Sequence, residues 1–439
     1  MSDRSAPPTF VEDEAPVRQP IISPPAAKQK AIPAPARPYP AERRKSLIAT
    51  LDPYLVILVT VLLGIGAIMV YSATFDWSYQ SFDSETYIFS IHLRNIGIGA
   101  ALLLVMTLLD YRLWRRLAVW ILLGTIGLLV AVLLFGDDTF GARRALISGS
   151  FQPGEAAELV IVIYMAAWLG SRRTKIRSVI YGLIPFAVLL GIVGGLVMLQ
   201  PDLSTAGIIF ITAGIMYFLA GADPRQLVIA GILAGIAGYL VIQLGLLPSY
   251  ADDRWTTYVS GINDLTQANY HVQQAVIAFL NGGWTGVGLG NGRQKFGFLP
   301  APHTDSIFAI IAEEMGIIGA AMVVLLYVML VVRGFVLARR AVDPFGALLA
   351  AGLTVWIAVK ALLNIAVMTA VVPSTGTPLP FISYGGSSLV TLMVGTGLLM
   401  SVGRVSALQQ QIPERSRSLA NHDRSRRDRR ARVSRTGRS

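Results

Sequence analysis

The chain has 439 residues, of which 54% are hydrophobic and only 14% are charged, and its formal net charge is +11. This composition excludes an ordinary soluble globular domain of the same length and indicates an integral membrane protein. The chain has no cysteine, which excludes a disulfide framework and thiolate metal ligands.

The two ends of the chain differ in composition from the middle. Residues 1–45 are rich in proline and alanine and hold no apolar run long enough for a signal-peptide core, which predicts a disordered cytoplasmic tail. Residues 406–439 are rich in arginine and predict a second disordered cytoplasmic tail near anionic lipid, with nucleic-acid binding as the poorer alternative. Residues 46–405 form the predicted membrane domain.

Ten apolar segments lie in this domain, each close to the roughly 20 residues that a helix needs to cross a bilayer. They are residues 54–73, 91–109, 117–135, 155–170, 179–199, 205–220, 227–246, 306–332, 345–371 and 387–402. Short loops rich in arginine follow every second segment, which places both termini in the cytoplasm. The sequence therefore predicts an all-α protein of ten transmembrane helices, with a large extracytoplasmic loop, residues 247–305, between helices 7 and 8.

Ionisable residues at or within the spans are candidate functional groups, because charge is costly inside a bilayer. The acidic members are Asp305 at the start of the eighth span, Glu313 and Glu314 within it, Glu155 and Glu158 in the fourth, and Asp202 in an outer turn. The basic members are Arg143 and Arg144 just before the fourth span, and Arg254, Arg293 and Lys295 in the long loop. Together they suit an anionic, lipid-linked substrate presented from outside.

Structural interpretations of the same residues stay open at this point. Asp305 can be a helix N-terminal carboxylate that the helix dipole favours, and Glu313 and Glu314 can pair with other helices. Arg143 and Arg144 can anchor the chain at the membrane interface. His303 lacks the companions of a metal site and is expected to be a hydrogen-bonding loop residue.

Two glycine-rich or proline-rich stretches need their own interpretation. The run from Gly286 to Gly292 lies in a loop without the strand and helix of a dinucleotide site, so no nucleotide cofactor is expected. Residues 373–388 contain three prolines and three glycines in a mostly apolar context. They cannot form a continuous helix, and we predict that they fold back against protein and shape a cavity.

These features, taken together, closely resemble the SEDS family (shape, elongation, division and sporulation). The resemblance covers about 350 residues in family order, and the run from Pro378 to Leu389 is the most specific motif. The other matching pieces are Gly141 to Arg144, Phe151 to Pro153 with Glu155, Gln200 to Leu203 with Thr205 and Ala206, Gln273 with Gln274, Gly282 to Gly290, Leu299 with Pro300, His303 to Asp305, Glu313 to Gly316, and Asn364.

The resemblance implies a peptidoglycan glycosyltransferase that polymerises lipid II at the outer face of the cytoplasmic membrane, working with a class B penicillin-binding protein. Asp305 would be the catalytic general base on the acceptor 4-hydroxyl group. Polyprenyl pyrophosphate would leave, stabilised by Arg143 and Arg144, then by Lys295, or by a divalent cation such as Mg²⁺ or Mn²⁺. The remaining expected substrate-binding residues are Glu155, Gln274, His303, Glu313, Ser383 and Tyr384.

Several positions depart from the family pattern. Glu158 stands where the family has lysine, and Lys360 stands where it has glutamine, which suggests a charge-swapped pair between the fourth and ninth helices. Depths counted from the predicted helix ends differ by roughly 10 Å, which speaks against the pair. The other departures are Gly154 for serine, His271 for glutamine, Ala301 for glutamate and Ser306 for phenylalanine.

The resemblance leaves a choice of branch and of activity. The variant Ile382-Ser383-Tyr384 and the long N-terminal tail favour the FtsW branch over the RodA branch, for a role in cell division or cell-wall elongation. A lipid II flippase is one alternative, although transport needs polar groups on both membrane faces. A catalytically impaired scaffold that recruits a penicillin-binding protein is another, because of the substitutions at Glu158, Lys360, Pro302 and Ser306.

Overall fold

The computed structural model describes residues 51–136, 138–139, 142–143, 152–171, 176–244 and 249–409. Its helices are α1 (Pro53–Phe82), α2 (Tyr87–Leu108), α3 (Arg112–Phe135), α4 (Pro153–Ser171), α5 (Ile184–Leu199), α6 (Leu203–Leu219), α7 (Pro224–Gln243), α8 (Ser249–Asn263), α9 (Tyr270–Gly282), α10 (Ile307–Arg340) and α11 (Pro344–Met368), followed by α12 (Gly386–Gln409). A π-helical turn, Val179–Leu183, precedes α5. Strands β1 (Asp138–Thr139) and β2 (Ala142–Arg143) pair antiparallel.

Acidic residues start three of these helices. The Asp52 carboxylate accepts from Leu55 N at α1, Asp202 accepts from Thr205 N at α6, and Asp343 accepts from Gly346 N at α11. Such a side chain satisfies an amide group that has no partner within the helix. Proline follows directly at the first position of α1 and α11, where its fixed φ favours the helix.

Eight helices in the described ranges are long and apolar enough to cross a membrane: α1 to α5, α10, α11 and α12, with the π-helical turn included in the fifth. α6 is apolar but shorter, at 17 residues, and α7 has 20 residues. Each of the ten predicted segments overlaps one of these helices. An all-helical, multi-pass membrane architecture is therefore confirmed, whereas the count of ten spans stays a prediction.

The predicted tails lie mostly outside the described residues. Residues 1–45 and 410–439 lie outside the described ranges. Residues 406–409, which we assigned to the C-terminal tail, instead complete α12. Gln409 Oε1 accepts from Arg112 Nη2 at 2.9 Å, so the end of α12 contacts the beginning of α3.

The long segment before Asp305 is largely helical rather than irregular. It contains α8, a short 3₁₀ turn at Leu265–Gln267, and α9. Asn269 starts α9 by accepting from His271 N at 3.0 Å. The polar composition that predicts a loop belongs chiefly to α8, whereas α9 is mostly apolar and exposes Ile277 and Leu280. Both helices place side chains beside the functional site.

The glycine-rich run after α9 packs against a kink in α10. Gly316 interrupts that helix with φ 70° and ψ −175°, a conformation that glycine adopts without penalty. A Cβ atom on Gly316 would lie 2.4 Å from both Gly286 N and Trp284 O. Gly288 N donates to Glu314 O at 3.0 Å. The glycines thus permit a close backbone contact, which accounts for the run without a nucleotide.

Residues 369–385 are not helical, as the prolines and glycines predict. The segment returns toward the interior, where Leu379, Phe381 and Ile382 are buried. It crosses α1 at Gly66, whose absent Cβ would lie 2.6 Å from Phe381 O. α4, α11 and α12 are the most buried of the spanning helices, so polar groups on them are shielded from lipid.

Candidate functional site

An open cavity of about 540 Å³ is lined by the beginning of α4, the beginning of α6, by α8 and α11, and by the broken segment that follows α11. Its lining is mostly polar. The charged members are Glu155, Glu158, Asp202, Arg254 and Lys360, and Gln152, Ser204, Thr205 and Thr377 complete the polar part of the wall, which also includes Gly376. Fixed charges of both signs beside the membrane-spanning core make this cavity the candidate site.

Lys360 joins the two glutamates of α4. Its Nζ donates to Glu155 Oε2 at 2.7 Å and to Glu158 Oε2 at 2.8 Å, and all three residues are buried. The predicted charge-swapped pair is therefore confirmed. The objection from depth fails because α4 begins at Pro153 and α11 ends at Met368, which puts the two residues about 8 Å and about 12 Å from those ends. The lysine side chain spans the difference.

Trp356 of α11 and Ser388 of α12 also contact this cluster. Trp356 Nε1 donates to Glu158 Oε2 at 2.7 Å, and Lys360 Nζ lies 3.5 Å from Ser388 Oγ of α12. Glu158 Oε1 is buried without a hydrogen-bond partner, which is costly for a carboxylate oxygen. The cluster binds α4, α11 and α12 together at the wall of the cavity.

Asp305 lies at the edge of this cavity, two residues before α10. A Cβ atom placed on Gly376 would lie 3.3 Å from Asp305 Oδ2, and Gly376 is part of the cavity wall. Asn364 Nδ2 donates to Asp305 O at 2.7 Å and to Thr377 O at 2.8 Å. Because Asn364 is one helical turn beyond Lys360, α11 positions both the carboxylate cluster and the Asp305 backbone.

The broken segment holds the residues before Asp305. Ser383 Oγ donates to Thr304 O at 2.5 Å, and Tyr384 N donates to His303 O at 2.8 Å. Ser383 and Tyr384, which we expected to bind substrate, thus contact the loop that carries Asp305. Their described contacts fix its conformation.

The His303 ring lies in an aromatic cluster. It stacks on Trp77 of α1 with a centroid distance of 4.9 Å, and Tyr384 meets it edge-on at 5.5 Å. Burial lowers the pKa of His303 to about 4, since the charged imidazolium loses hydration. The ring is therefore neutral at pH 7.

His271 and Ser306, two departures from the family pattern, contact each other. His271 Nε2 hydrogen-bonds Ser306 Oγ, and Ser306 Oγ donates to Pro300 O at 2.7 Å. Burial, together with the nearby Arg254 charge, lowers the pKa of His271 below its usual value. The pair connects α9 to the residue that follows Asp305. The departure at Ser306 therefore contacts a second departure, His271, just as Glu158 contacts Lys360.

Lys295, Glu313 and Glu314 form a separate buried cluster. Lys295 Nζ donates to Glu314 Oε1 at 2.7 Å, to Gly290 O at 2.7 Å and to Ser72 Oγ at 3.0 Å. Glu313 Oε1 accepts from Arg293 N at 3.0 Å. Lys295 is thus a structural cation between α1 and α10 and does not line the cavity, contrary to the predicted contact with a leaving group. The alternative interpretation of Glu314 as an ion-pair partner is confirmed.

The remaining predicted residues are placed as follows. Gln274 is half-buried on α9. Arg143 is in β2, where it lies opposite Asp138 of β1. Arg144 lies outside the described residues. Their roles therefore stay predictions. The sequence does not rank Arg254 above the other loop cations, although it lines the same cavity as Lys360.

The cavity does not fit a divalent cation at its two glutamates. Among the described residues, no three histidine, aspartate or glutamate side chains converge as metal ligands. Lys360 Nζ already lies between Glu155 and Glu158, where a bridging cation would be held. Asp202 is engaged by Thr205 Oγ at 2.8 Å. The ammonium group thus occupies the position between the two carboxylates.

Comparison with known proteins places the chain. A family model described as "Cell cycle protein", covering FtsW, RodA and SpoVE, matches residues 53–407. Stage V sporulation protein E of Bacillus subtilis is 37% identical over 81% of this chain and 97% of its own. The relative named "Probable peptidoglycan glycosyltransferase FtsW" in Geobacter sulfurreducens is 35% identical over 80% of this chain and 94% of its own.

Solved structures agree with the sequence matches. A chain from a peptidoglycan synthase complex that coordinates polymerization and crosslinking has a TM-score of 0.67 and 26% identity, covering 81% of this chain and 98% of its own. The rod shape determining protein RodA of Thermus thermophilus gives a TM-score of 0.60 and 26% identity, with 81% and 97% covered. Motif order, fold and relatives thus agree, and the chain belongs to the FtsW/RodA/SpoVE family of SEDS proteins.

Proposed function

We propose that this protein is a peptidoglycan glycosyltransferase, which polymerises lipid II into glycan strands. The observation that carries the proposal is the position of the Asp305 carboxylate at the edge of a polar cavity. Relatives that share most of their length with this chain are named as peptidoglycan glycosyltransferases. The family membership supplies the reaction, and the geometry supplies residues that perform it.

Asp305 acts as the general base in the proposed reaction. It takes the proton from the 4-hydroxyl group of the acceptor sugar, whose oxygen attacks the anomeric carbon of the lipid-linked donor. The new glycosidic bond forms as the bond from that carbon to the phosphate oxygen breaks, with inversion. The electron pair leaves with polyprenyl pyrophosphate, and the proton stays on Asp305.

Cations of the cavity stabilise the leaving group. A fixed positive charge lowers the energy of the negative charge that develops on the pyrophosphate. Arg254 lines the cavity, and Arg143 and Arg144, which precede α4 in the chain, are proposed to join it. Glu155 is proposed to contact substrate directly, because it too lines the cavity.

The proposed membrane arrangement follows from the charge pattern. It has ten spans in the cytoplasmic (inner) membrane of a bacterium, both termini in the cytoplasm and residues 247–305 outside. The candidate cavity then faces the outer side, where α8 and α9 lie. The proposed partner is a class B penicillin-binding protein, and the similarity to a chain of a peptidoglycan synthase complex supports it.

The scaffold alternative loses its main support in the structure. It depended on substitutions that should impair the site, yet Glu158 pairs with Lys360 and His271 pairs with Ser306. Matched substitutions preserve packing and charge, which favours an active enzyme. A flippase stays an outcome of the test below.

The test is lipid II polymerisation by the purified protein in detergent, with and without its partner. We expect polymer from the wild type and none from Asp305→Asn, whose side chain has the same shape but cannot take a proton. Asp264→Asn is the matched control, because that aspartate is exposed at the end of α8. Lipid II transport without polymer would support the flippase, and equal polymer from wild type and Asp305→Asn would exclude Asp305 as the base.

A further inference from the structure

The end of α9 and the glycine-rich run after it carry large apolar side chains that the protein does not cover. Leu280 and Trp284 are 75% and 74% exposed, and Leu289 is 57% exposed. Residues 272–292 contain no aspartate, glutamate, lysine or arginine. Large apolar side chains that are exposed together mark a surface that contacts a membrane or another protein.

Two helices fix the level of this surface relative to the bilayer. α1 and α10 have 30 and 34 residues, and each is longer than the roughly 20 residues that cross the hydrocarbon core. The ion pair between Asp52 and Arg333 marks one surface of the core, because it lies at the start of α1 and near the end of α10. About 20 residues from this pair, α1 reaches Ser72 and α10 reaches Glu313. Ser72 Oγ donates to Glu314 Oε1 at 2.7 Å, so both counts meet at one level, which marks the other surface.

The turn after α9 lies inside this second surface. Ile317 N donates to Gly283 O at 2.9 Å, and Ile318 N donates to Trp284 O at 3.2 Å. These two isoleucines follow Glu313 by a distance of about 6–8 Å along a helix. Ile318 is itself 60% exposed on a helix that is long and apolar enough to span the membrane. The exposed side chains of the turn are therefore continuous with a surface that faces lipid.

The backbone of the turn is hydrogen-bonded in the way that a bilayer requires. Non-helical backbone enters the hydrocarbon region only where protein groups satisfy its polar atoms. The kink of α10 at Gly316 allows the backbone of that helix to pair with the turn. Val287 N donates to Glu313 O at 3.0 Å. Gly288 N donates to Glu314 O at 3.0 Å. Together with the bonds from the two isoleucines, these bonds join the turn to α10 on its protein side.

We propose that residues 277–289 insert into the outer leaflet of the bilayer and rest on lipid acyl chains, as an interfacial anchor that is separate from the spans. Their depth of about 6–8 Å agrees with the 5–10 Å to which interfacial segments enter a membrane. The ring of Trp284 suits this level, since tryptophan is enriched at membrane interfaces. The anchor goes beyond the proposed function and uses only the proposed membrane arrangement, in which α9 lies on the outer side.

α9 joins the anchor to the candidate site. At the start of this helix, His271 hydrogen-bonds Ser306, the residue directly after Asp305. At its other end, Gly282 packs so closely on α10 that a Cβ atom would lie 2.0 Å from Ala312 O. One helix thus extends from the lipid to the loop that carries the candidate base. The anchor therefore sets the height of Asp305 above the bilayer.

The test measures the surroundings of single spin labels. Because the chain has no cysteine, Leu280→Cys and Trp284→Cys each place one nitroxide label in the anchor of the full-length protein. Thr256→Cys is the reference for water, since Thr256 is exposed on the polar helix α8. Met322→Cys is the reference for lipid, since Met322 is 46% exposed within α10. Collisions with oxygen, which concentrates in lipid, and with a water-soluble nickel complex are measured in bilayers of phosphatidylethanolamine and phosphatidylglycerol.

We expect both anchor labels to collide with oxygen and to lose collisions with the nickel complex, as the Met322→Cys label does. The Thr256→Cys label should show the reverse. Nickel collisions at the anchor equal to those of Thr256→Cys would place the segment in water and overturn the proposal. Labels that neither reagent reaches would also overturn it, by showing that a partner protein or a second copy covers the segment. The measurement needs no polymerisation, so either result leaves the proposed function standing.

Discussion

Replacing Lys360 by glutamine should destabilise the protein strongly, because it leaves two buried carboxylates without their cation. The Lys360 and Glu158 side chains are each 1% exposed, and removal of one partner from a buried ion pair costs about 3–5 kcal/mol. Glu158→Lys should cost a similar amount, since it brings two ammonium groups together. The double variant Glu158→Lys/Lys360→Gln keeps one lysine beside Glu155 and should recover most of the loss.

The double-mutant cycle measures this coupling. The free energy of unfolding is obtained from detergent-solubilised protein, and polymerisation is measured on the same samples. We expect a coupling free energy of about 2 kcal/mol or more, as for residues in direct contact. Arg112→Gln is the control, because its ion pair with Asp343 has side chains that are 40% and 25% exposed and should contribute about 1 kcal/mol or less.

Two outcomes would refute the reasoning about this pair. Improved polymerisation by Glu158→Lys with Lys360 unchanged would show that the two residues do not depend on each other. Strictly additive losses in the double variant would show the same. Either result would leave Asp305 unaffected, because its contacts to Asn364 and the loop are separate from the ion pair.

Three further predictions concern the surroundings of the site. Gly316→Ala should lower the free energy of unfolding by about 2 kcal/mol or more, because φ at Gly316 is 70° and the new Cβ would meet the backbone of Gly286. A variant as stable as wild type would contradict the kink at this position. Ser306→Ala should lower the free energy of unfolding by about 1–3 kcal/mol, because it leaves the His271 ring without its partner. Polymerisation should fall as well, and unchanged polymerisation would show that the pair does not position Asp305. The pKa of His303 is about 4 in the folded protein and 6.5 in the unfolded chain. Between these values only the unfolded chain takes up the proton, so the stability of the fold decreases as the pH falls from about 6.5 to 4. Thermal unfolding at pH 7 and pH 5 should show a smaller loss of stability for His303→Gln than for wild type.

Much of the fold could be predicted from the sequence because apolar length is a strong signal in membrane proteins. All ten predicted segments overlap helices, and the prolines and glycines between Pro373 and Gly386 mark the helix break correctly. For residues 247–305 the sequence predicts a segment outside the spans but does not indicate its helices, because α8 is polar and α9, although mostly apolar, has only 13 residues and is too short to be recognised as a span.

The site could be predicted in its parts but not in its arrangement. Motif order indicates Asp305 and Glu155, yet Lys360 is 205 residues away from Glu155 along the chain, and only the packing of α4 against α11 brings them together. The predicted ends of α4 and α11 differ from the observed ends by two or three residues, which is why the depths counted from the sequence spoke against the pair. Lys295 shows the opposite error, because a loop lysine that looks available to substrate is buried against Glu314.

The amide group of Asn364 has a mechanical consequence for the enzyme in its bilayer. It bonds the backbone of Asp305 and that of Thr377 at once, so the base and the cavity wall keep a fixed separation when α11 moves. Membranes differ in thickness, and lipid-facing helices such as α2 adjust by tilting. We expect such tilts to be absorbed at the periphery, which makes the spacing of the reacting groups independent of the lipids around the protein.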